Sequence, residues 1–378
     1  MTAENDKKKI YRVLLLAAPI GSGHILAAQA LQQELERRKD VEVVQGDVFS
    51  FFPAALGRAF LRCYLWVLAH CPWLYAASYR WGNRSQGGGL WLRALVNGVL
   101  ARLGAGFLER VRPDAVLATH ATPAGIISIY KKRHPEAQVF LGAVVTDFSI
   151  HRWWLNDGVD TYFVADERLR ERLPANADVK AYGIPIRSAF CKLDRAAVRQ
   201  ALGWSDEERV CLVMGGGEGL LPMEELLRHI LRQRLAEKLR LVFLTGRNKK
   251  LAARLKKLAA ENKNVLLHPE ICGFREDAPQ LMAAADVVVT KAGGLTLAEV
   301  LASGCSYIIY KPLPGQERNN AAFLQRYCGA RVCGALEELA HLVLSANYGE
   351  KDGAYYGRPQ AAAEICSCVL QRLESRRL

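Results

Sequence analysis

A chain of 378 residues that is 51% hydrophobic and 24% charged can bury sizeable cores, which excludes a disordered class. At roughly 100–200 residues per domain, the length predicts two domains. A net charge of +13 implies an anionic partner: a phosphate-bearing substrate, an acidic lipid surface or nucleic acid. The ten cysteines form no CxxC pair, so they read as reduced thiols rather than a metal knuckle or a disulfide frame. The N-terminal stretch has too short an apolar run for a signal peptide, and no apolar run reaches ~18 residues without charge or proline, so no transmembrane helix is expected.

Along the first half, strand and helix signals alternate. Arg12–Ala18 is a buried-strand run, followed by a glycine turn at Gly21–Gly23 and helical periodicity through Ala27, Leu31 and Leu35. Val41–Val48, Ala115–Thr119, Val139–Thr146, Thr161–Ala165 and Val179–Tyr182 are further strands, with a helix over Pro123–Lys132. In the second half the strands are Val210–Met214, Leu241–Thr245, Val265–Leu267, Val287–Thr290 and Tyr307–Tyr310, with helical segments between. Near-continuous apolar strands separated by helices indicate parallel sheets covered on both faces. The expectation is α/β: two Rossmann-like, doubly wound domains in tandem with a ligand cleft at their strand ends. The boundaries expected are 1–185, 186–356 and a C-terminal helix at 357–378 that crosses back to the first domain.

Residues 51–112 break the alternation. Eight arginines face a single acid, Glu109, and aromatic residues crowd the same stretch. Arg58, Arg62, Trp66, Trp73, Arg80, Trp81, Arg84 and Trp91 suit a membrane interface, where rings settle at headgroup depth and guanidinium groups meet lipid phosphates. A helical hairpin packed on the sheet, with a solvated arginine face, is the competing reading. The clustering with tryptophan, and the lack of any helix-turn-helix or zinc pattern, speak against nucleic acid.

Three loops carry candidate chemistry. No GxGxxG follows the first strand and no Walker A sequence occurs, which removes the main support for a dinucleotide oxidoreductase or a P-loop ATPase. In Pro19–His24, glycines let the backbone approach a ligand. There His24 is either a general base for a hydroxyl acceptor or simply a helix cap. Met214–Gly219 is a second strand-to-helix loop whose amides can cradle a diphosphate. The run from Thr290 to Glu317 is the richest. Glycines open a helix after Thr290, Glu299 can accept ribose hydroxyls or merely complement the helix dipole, and Gln316 and Glu317 suit sugar hydroxyls.

These residues resemble a known family. GSGHILAAQAL at 21–31, VVTDFSIHRWW at 144–154, YGIPIRSAF at 182–190, GGGEGL at 215–220, TGRN at 245–248, TKAGGLTLAEVLASG at 290–304 and KPLPGQERNNAAF at 311–323 are similar to glycosyltransferase family 28. The likeness is to its diacylglycerol branch, the monogalactosyldiacylglycerol synthases and processive diacylglycerol glucosyltransferases. The plant members read GGGH where this chain has Ser22 as the middle residue.

The resemblance implies a GT-B fold and an inverting transfer of glucose or galactose from UDP-glucose or UDP-galactose to diacylglycerol. UDP-sugar would be the co-substrate, with no tightly bound cofactor and no catalytic metal; the chain has no DxD motif. His24 would be the base. Gly216, Gly217, Arg247, Gly273, Phe274, Thr290, Lys291, Gly293, Gly294, Thr296 and Glu299 would hold UDP, and Gln316, Glu317 and Asn320 would touch the sugar. Gly23, Asp147 and His151 would face the acceptor. The setting implied is peripheral, on the cytoplasmic face of the cell membrane, among anionic lipids and without nucleic acid. Two alternatives stand beside it: the same fold acting on a polyprenyl-linked peptidoglycan precursor, and a non-catalytic nucleotide- and membrane-binding module.

Overall fold

The computed structural model describes residues 10–18, 22–47, 51, 88–190, 193–217, 219–345 and 357–376. The chain divides into two units, Met1–Arg187 with Gln360–Leu378, and Ser188–Pro359.

In the first unit the order is β1 (Tyr11–Ala17), α1 (Ser22–Leu35), β2 (Val41–Asp47), α2 (Gly88–Val111), β3 (Ala115–Ala118), α3 (Ala121–Arg133), β4 (Phe140–Val144), β5 (Thr161–Phe163) and β6 (Val179–Lys180). The strands form one parallel sheet in the order β2-β1-β3-β4-β5-β6. Val13, Leu14, Leu15 and Leu16 are all at most 1% exposed, because consecutive side chains on a central parallel strand face opposite helical layers and both must be apolar. The chain leaves β1 outward to β2, then returns to the other side of β1 as β3. The switch point therefore lies between β1 and β3, where Leu16 pairs with Ala118.

The second unit repeats the plan. It runs α4 (Arg195–Leu202), β7 (Arg209–Met214), α5 (Met223–Leu231), β8 (Leu239–Leu244), α6 (Lys249–Ala260), β9 (Leu267–Cys272), α7 (Ala278–Ala284), β10 (Val287–Thr290), α8 (Gly294–Ser303), β11 (Ser306–Tyr310), α9 (Gln316–Tyr327), β12 (Arg331–Cys333) and α10 (Leu336–Leu344). The parallel order β12-β11-β10-β7-β8-β9 puts its switch point between β7 and β10. Arg199, 2% exposed, fastens α4 to the sheet: its guanidinium donates to Asp286 at 2.8 Å and to the carbonyls of Ala284, Ser205 and Glu208. Such a buried cation is tolerated because every direction of its fork is met.

The last helix, α11 (Ala361–Ser375), belongs to the first unit. Ile365, Cys366, Val369 and Leu373 share one apolar cluster with Leu31 and Leu35 of α1. Arg372 bonds Asp178 at 2.7 Å, and Arg376 reaches Asp160 at 3.2 Å. Ile365 is fully buried. Truncating it to alanine is expected to cost the first unit about 2–5 kcal/mol, read as a lowered denaturant midpoint.

Two departures from the sequence reading have clear causes. The strand expected at Val265–Leu267 lies instead at Leu267–Cys272, and Val265 is 83% exposed. His268 and Glu270 alternate outward on an edge strand, so apolar continuity did not mark it. Asn262 and Asn264 bond the backbone around Val265 and make that stretch a turn. Gly23, expected in the turn, lies in the first turn of α1, which begins at Ser22.

Of the stretch 51–112, the structure shows Phe51 and α2. The ring of Phe51 sits against Gly104, where an added Cβ would fall 2.9 Å from it, and lies 5.7 Å from the ring of Phe107. Arg58, Arg62, Trp66, Trp73, Arg80, Trp81 and Arg84 lie outside the described residues, as does the side chain of Trp91. Among the described residues no helix is long and apolar enough to cross a membrane.

Candidate active site

In the first unit, three strand ends bring their first polar residues together. β3 is followed by Thr119 and His120, β4 by Val145, Thr146 and Asp147, and His24 stands in the first turn of α1. The pairing Leu16–Ala118 on one side of β3 and Ala118–Ala143 on the other aligns these ends. His24 Nδ1 lies 2.8 Å from the Thr119 carbonyl oxygen and 2.8 Å from Thr146 Oγ1. Thr119 Oγ1 donates to the His24 carbonyl at 3.0 Å, so the latch closes in both directions.

A carbonyl only accepts, so Nδ1 carries the proton in the neutral ring and Nε2 keeps a basic lone pair. Thr146 fits the same assignment. Its hydroxyl accepts from Nδ1–H and is oriented toward the Thr119 carbonyl, 3.4 Å away. Burial lowers the pKa of His24 below the ordinary histidine value, against the opposing pull of Asp147 and of the Thr119 carbonyl, which favour imidazolium. The balance is an unprotonated base at neutral pH. Asp147 is 7% exposed, and the ring of His151 lies 6.2 Å from that of Trp154.

In the second unit the loops after β7 and β8 are knitted backbone to backbone. Gly216 and Gly219 take φ of 73° and 62°, and Leu220 N donates to Gly215 O at 2.9 Å. Arg247 N donates to Gly217 O at 2.8 Å. Gly246 sits at φ 59°, where a Cβ would fall 2.3 Å from Gly217 O. Only glycine satisfies both demands there. Gly216, Gly217 and Arg247 remain exposed. Thr245 donates from N and Oγ1 to Cys272 O, both at 3.0 Å, which fixes the peptide just before Gly273 and the 64%-exposed Phe274.

β10 ends at the buried Thr290, and α8 opens from Gly293 with no side-chain cap; a Cβ at Gly293 would meet nothing within 4 Å. α9 opens after Gly315, φ 103°, again without a side-chain cap. Two adjacent strands thus each deliver a helix N-terminus without a side-chain cap, the arrangement that favours anions, while Arg318 N in the first turn of α9 donates to Leu313 O at 3.0 Å. Lys291 pairs with Glu317 at 3.1 Å, and Glu317 also accepts from Leu313 N at 3.0 Å. Gly294 and Glu299 are buried in α8, Thr296 is half-buried one turn in, and Gln316 is half-buried at the start of α9.

Asn320, expected at the sugar, is fully buried, and its Nδ2 donates to Ala292 O at 3.0 Å. It fixes the turn between Lys291 and Gly293. A cavity of about 610 Å³ lies beside this turn, lined by Gly219, Asn248, Arg254, Lys291 and Lys311 among others; of the expected donor residues only Lys291 reaches it. Residues that the sequence did not single out are Thr119, His120, Thr146 and Thr245. Their one shared signal is a polar residue closing an apolar strand run beside or near a switch point.

Two doubly wound units with glycine loops and helix N-termini at their strand ends define a tandem Rossmann-like α/β architecture. Solved structures agree on the fold. MurG of Acinetobacter baumannii superposes with a TM-score of 0.64 at 17% identity over 96% of this chain and 99% of that one. MnaA of S. aureus, solved with UDP, gives 0.58 at 13% identity over 97% of each. The architecture is the GT-B fold.

Residues 24–186 match the monogalactosyldiacylglycerol (MGDG) synthase family, and residues 210–345 match the glycosyltransferase family 28 C-terminal domain. The chain is similar to processive diacylglycerol beta-glucosyltransferases of Bacillus licheniformis, 28% identical over 90% of this chain and 87% of that protein, and of Bacillus subtilis, 29% over 88% and 86%. It belongs to glycosyltransferase family 28, with an N-terminal half of the monogalactosyldiacylglycerol synthase type.

Proposed function

We propose that the chain transfers a hexose, glucose or galactose, from a UDP-sugar to the hydroxyl of diacylglycerol at the surface of the cell membrane, on its cytoplasmic face, with inversion at the anomeric carbon. The observation that carries this is the fixed tautomer of His24. With Nδ1–H held by Thr119 O and Thr146 Oγ1, the lone pair on Nε2 is available to a proton donor. Nε2 removes the acceptor's hydroxyl proton as the oxygen attacks the anomeric carbon. The bond from that carbon to the β-phosphate oxygen breaks in line, and UDP departs with the electron pair.

The donor lies on the second unit. Amides at the starts of α8 and α9 meet the diphosphate, and the glycine loop at 215–219 lets backbone approach it. Glu299 takes the ribose hydroxyls, Gly273 and Phe274 flank the base, and Gln316 with Glu317 bonds the sugar. The leaving charge is met by these dipoles and by Lys291, so the reading calls for no metal. Asp147 and His151 face the acceptor, and anionic lipids meet the arginine-rich stretch at 51–112, consistent with the +13 net charge.

If Glu299 holds ribose through a charge-assisted hydrogen bond worth roughly 1.5–3 kcal/mol, Glu299→Ala should raise KM for the UDP-sugar by about ten- to a hundredfold and change kcat far less. Initial rates across donor concentration read this directly; an unchanged KM removes Glu299 from the nucleotide site. Offering diacylglycerol and a polyprenyl-linked peptidoglycan precursor together tests the acceptor. Label is expected in the glycolipid, and label in the polyprenyl lipid alone would reverse the assignment.

A further inference from the structure

His120 is the titratable group nearest to His24 by ring contact, and sequence motifs did not mark it. It is the N-cap of α3, with extended backbone at φ −140° and ψ 151°, and its Nδ1 accepts from Thr122 N at 3.1 Å. That bond uses the Nδ1 lone pair, so the proton of the neutral ring sits on Nε2, the opposite tautomer to that of His24. The two rings stand edge to face, with centroids 4.7 Å apart and planes at 86°. Burial first, then His24 and His151, hold the pKa of His120 well below the ordinary histidine value, so it is uncharged at neutral pH.

The groups that bear on His24 then sort by sign. Asp147 and the Thr119 carbonyl favour its imidazolium, while burial opposes it and prevails. His151 faces His120, and the hydroxyl of Thr146 is neutral. A wall that screens water from His24 without contributing negative charge is what keeps burial dominant over Asp147, and the neutral ring of His120 is placed to be that wall.

We propose that His120 is a positioning residue for the reaction: its ring, fixed by the α3 cap and standing edge to face at 4.7 Å, holds the imidazole of His24 in place and shields it from water. This rests on His24 being the base. The test is the pH profile of kcat/KM in the full-length protein with UDP-glucose and diacylglycerol vesicles. His120→Asn retains a strong N-cap but removes the ring. Water then reaches His24, imidazolium forms more readily, and the acid limb should move to higher pH. Activity at pH 6 should fall several-fold relative to activity at pH 8, with KM for the donor unchanged.

His120→Ser also caps and removes the ring without adding charge, so it should move the limb in the same direction; it reads the same property should the asparagine variant fail to fold. An acid limb unmoved in a folded variant overturns the proposal. His24→Ala, run alongside, separates the two ideas. If it retains full activity, the base assignment falls and this inference with it. If it is inactive while the limb stays put in the His120 variants, only the role of His120 is refuted.

Discussion

Replacing His24 by alanine is expected to lower kcat by about 10²–10⁴-fold, the usual contribution of a general base, and to leave UDP binding intact. The separation follows from the fold. His24 belongs to the first unit, where it bonds Thr119 and Thr146, whereas every residue assigned to UDP belongs to the second. Folding should survive, because His24 is half-buried and alanine is a strong helix former within α1. Steady-state rates with calorimetric titration of UDP measure both halves of the prediction. The pH dependence of the wild type follows in sign. Because burial depresses the pKa of His24, protonation requires a lower pH than for a free imidazole, so activity persists below the ordinary histidine range and falls only on further acidification.

The second large effect is expected at Gly246. An alanine there faces two penalties at once: φ of 59°, costing roughly 1–2 kcal/mol in an L residue, and a Cβ placed 2.3 Å from Gly217 O. Gly217 is backbone and cannot rotate away. The loop after β7 must shift, carrying with it Gly216, Gly217 and the bond from Arg247 N. KM for the UDP-sugar should rise at least about tenfold, equivalent to roughly 1.4 kcal/mol, while the environment of His24 is unaffected. Gly293→Ala is the matched control: its Cβ would meet nothing within 4 Å and its φ is ordinary. Any loss it shows reports the approach of a ligand, since the free protein has room for the methyl group.

The parallel sheets were legible because Val13–Ala17 in β1, Ala115–Ala118 in β3, Val210–Met214 in β7 and Val287–Val289 in β10 are unbroken apolar runs, and a central strand covered on both faces admits little else. Gly216, Gly219, Gly246 and Gly315 were legible because a positive φ restricts residue choice to glycine almost everywhere. β9 was misplaced because an edge strand tolerates His268 and Glu270, and three-residue β12 falls below any periodic signal. His120 stayed hidden for another reason. Its role arises from the register that sets Ala118 beside Leu16, which no local pattern encodes. Asn320 shows the converse: a polar residue whose side chain the fold uses to brace the turn at Ala292, which no local pattern announces.

In the proposed reaction a hexose passes from UDP to diacylglycerol while His24 takes the proton. The most direct measurement incubates the purified full-length chain with labelled UDP-glucose or UDP-galactose and diacylglycerol in anionic vesicles, then determines the product by thin-layer separation and the anomeric proton coupling of the isolated lipid. The prediction is a β-linked hexosyl diacylglycerol that His24→Ala does not form. Release of UDP into solution with no labelled lipid, or a product of retained configuration, would contradict it.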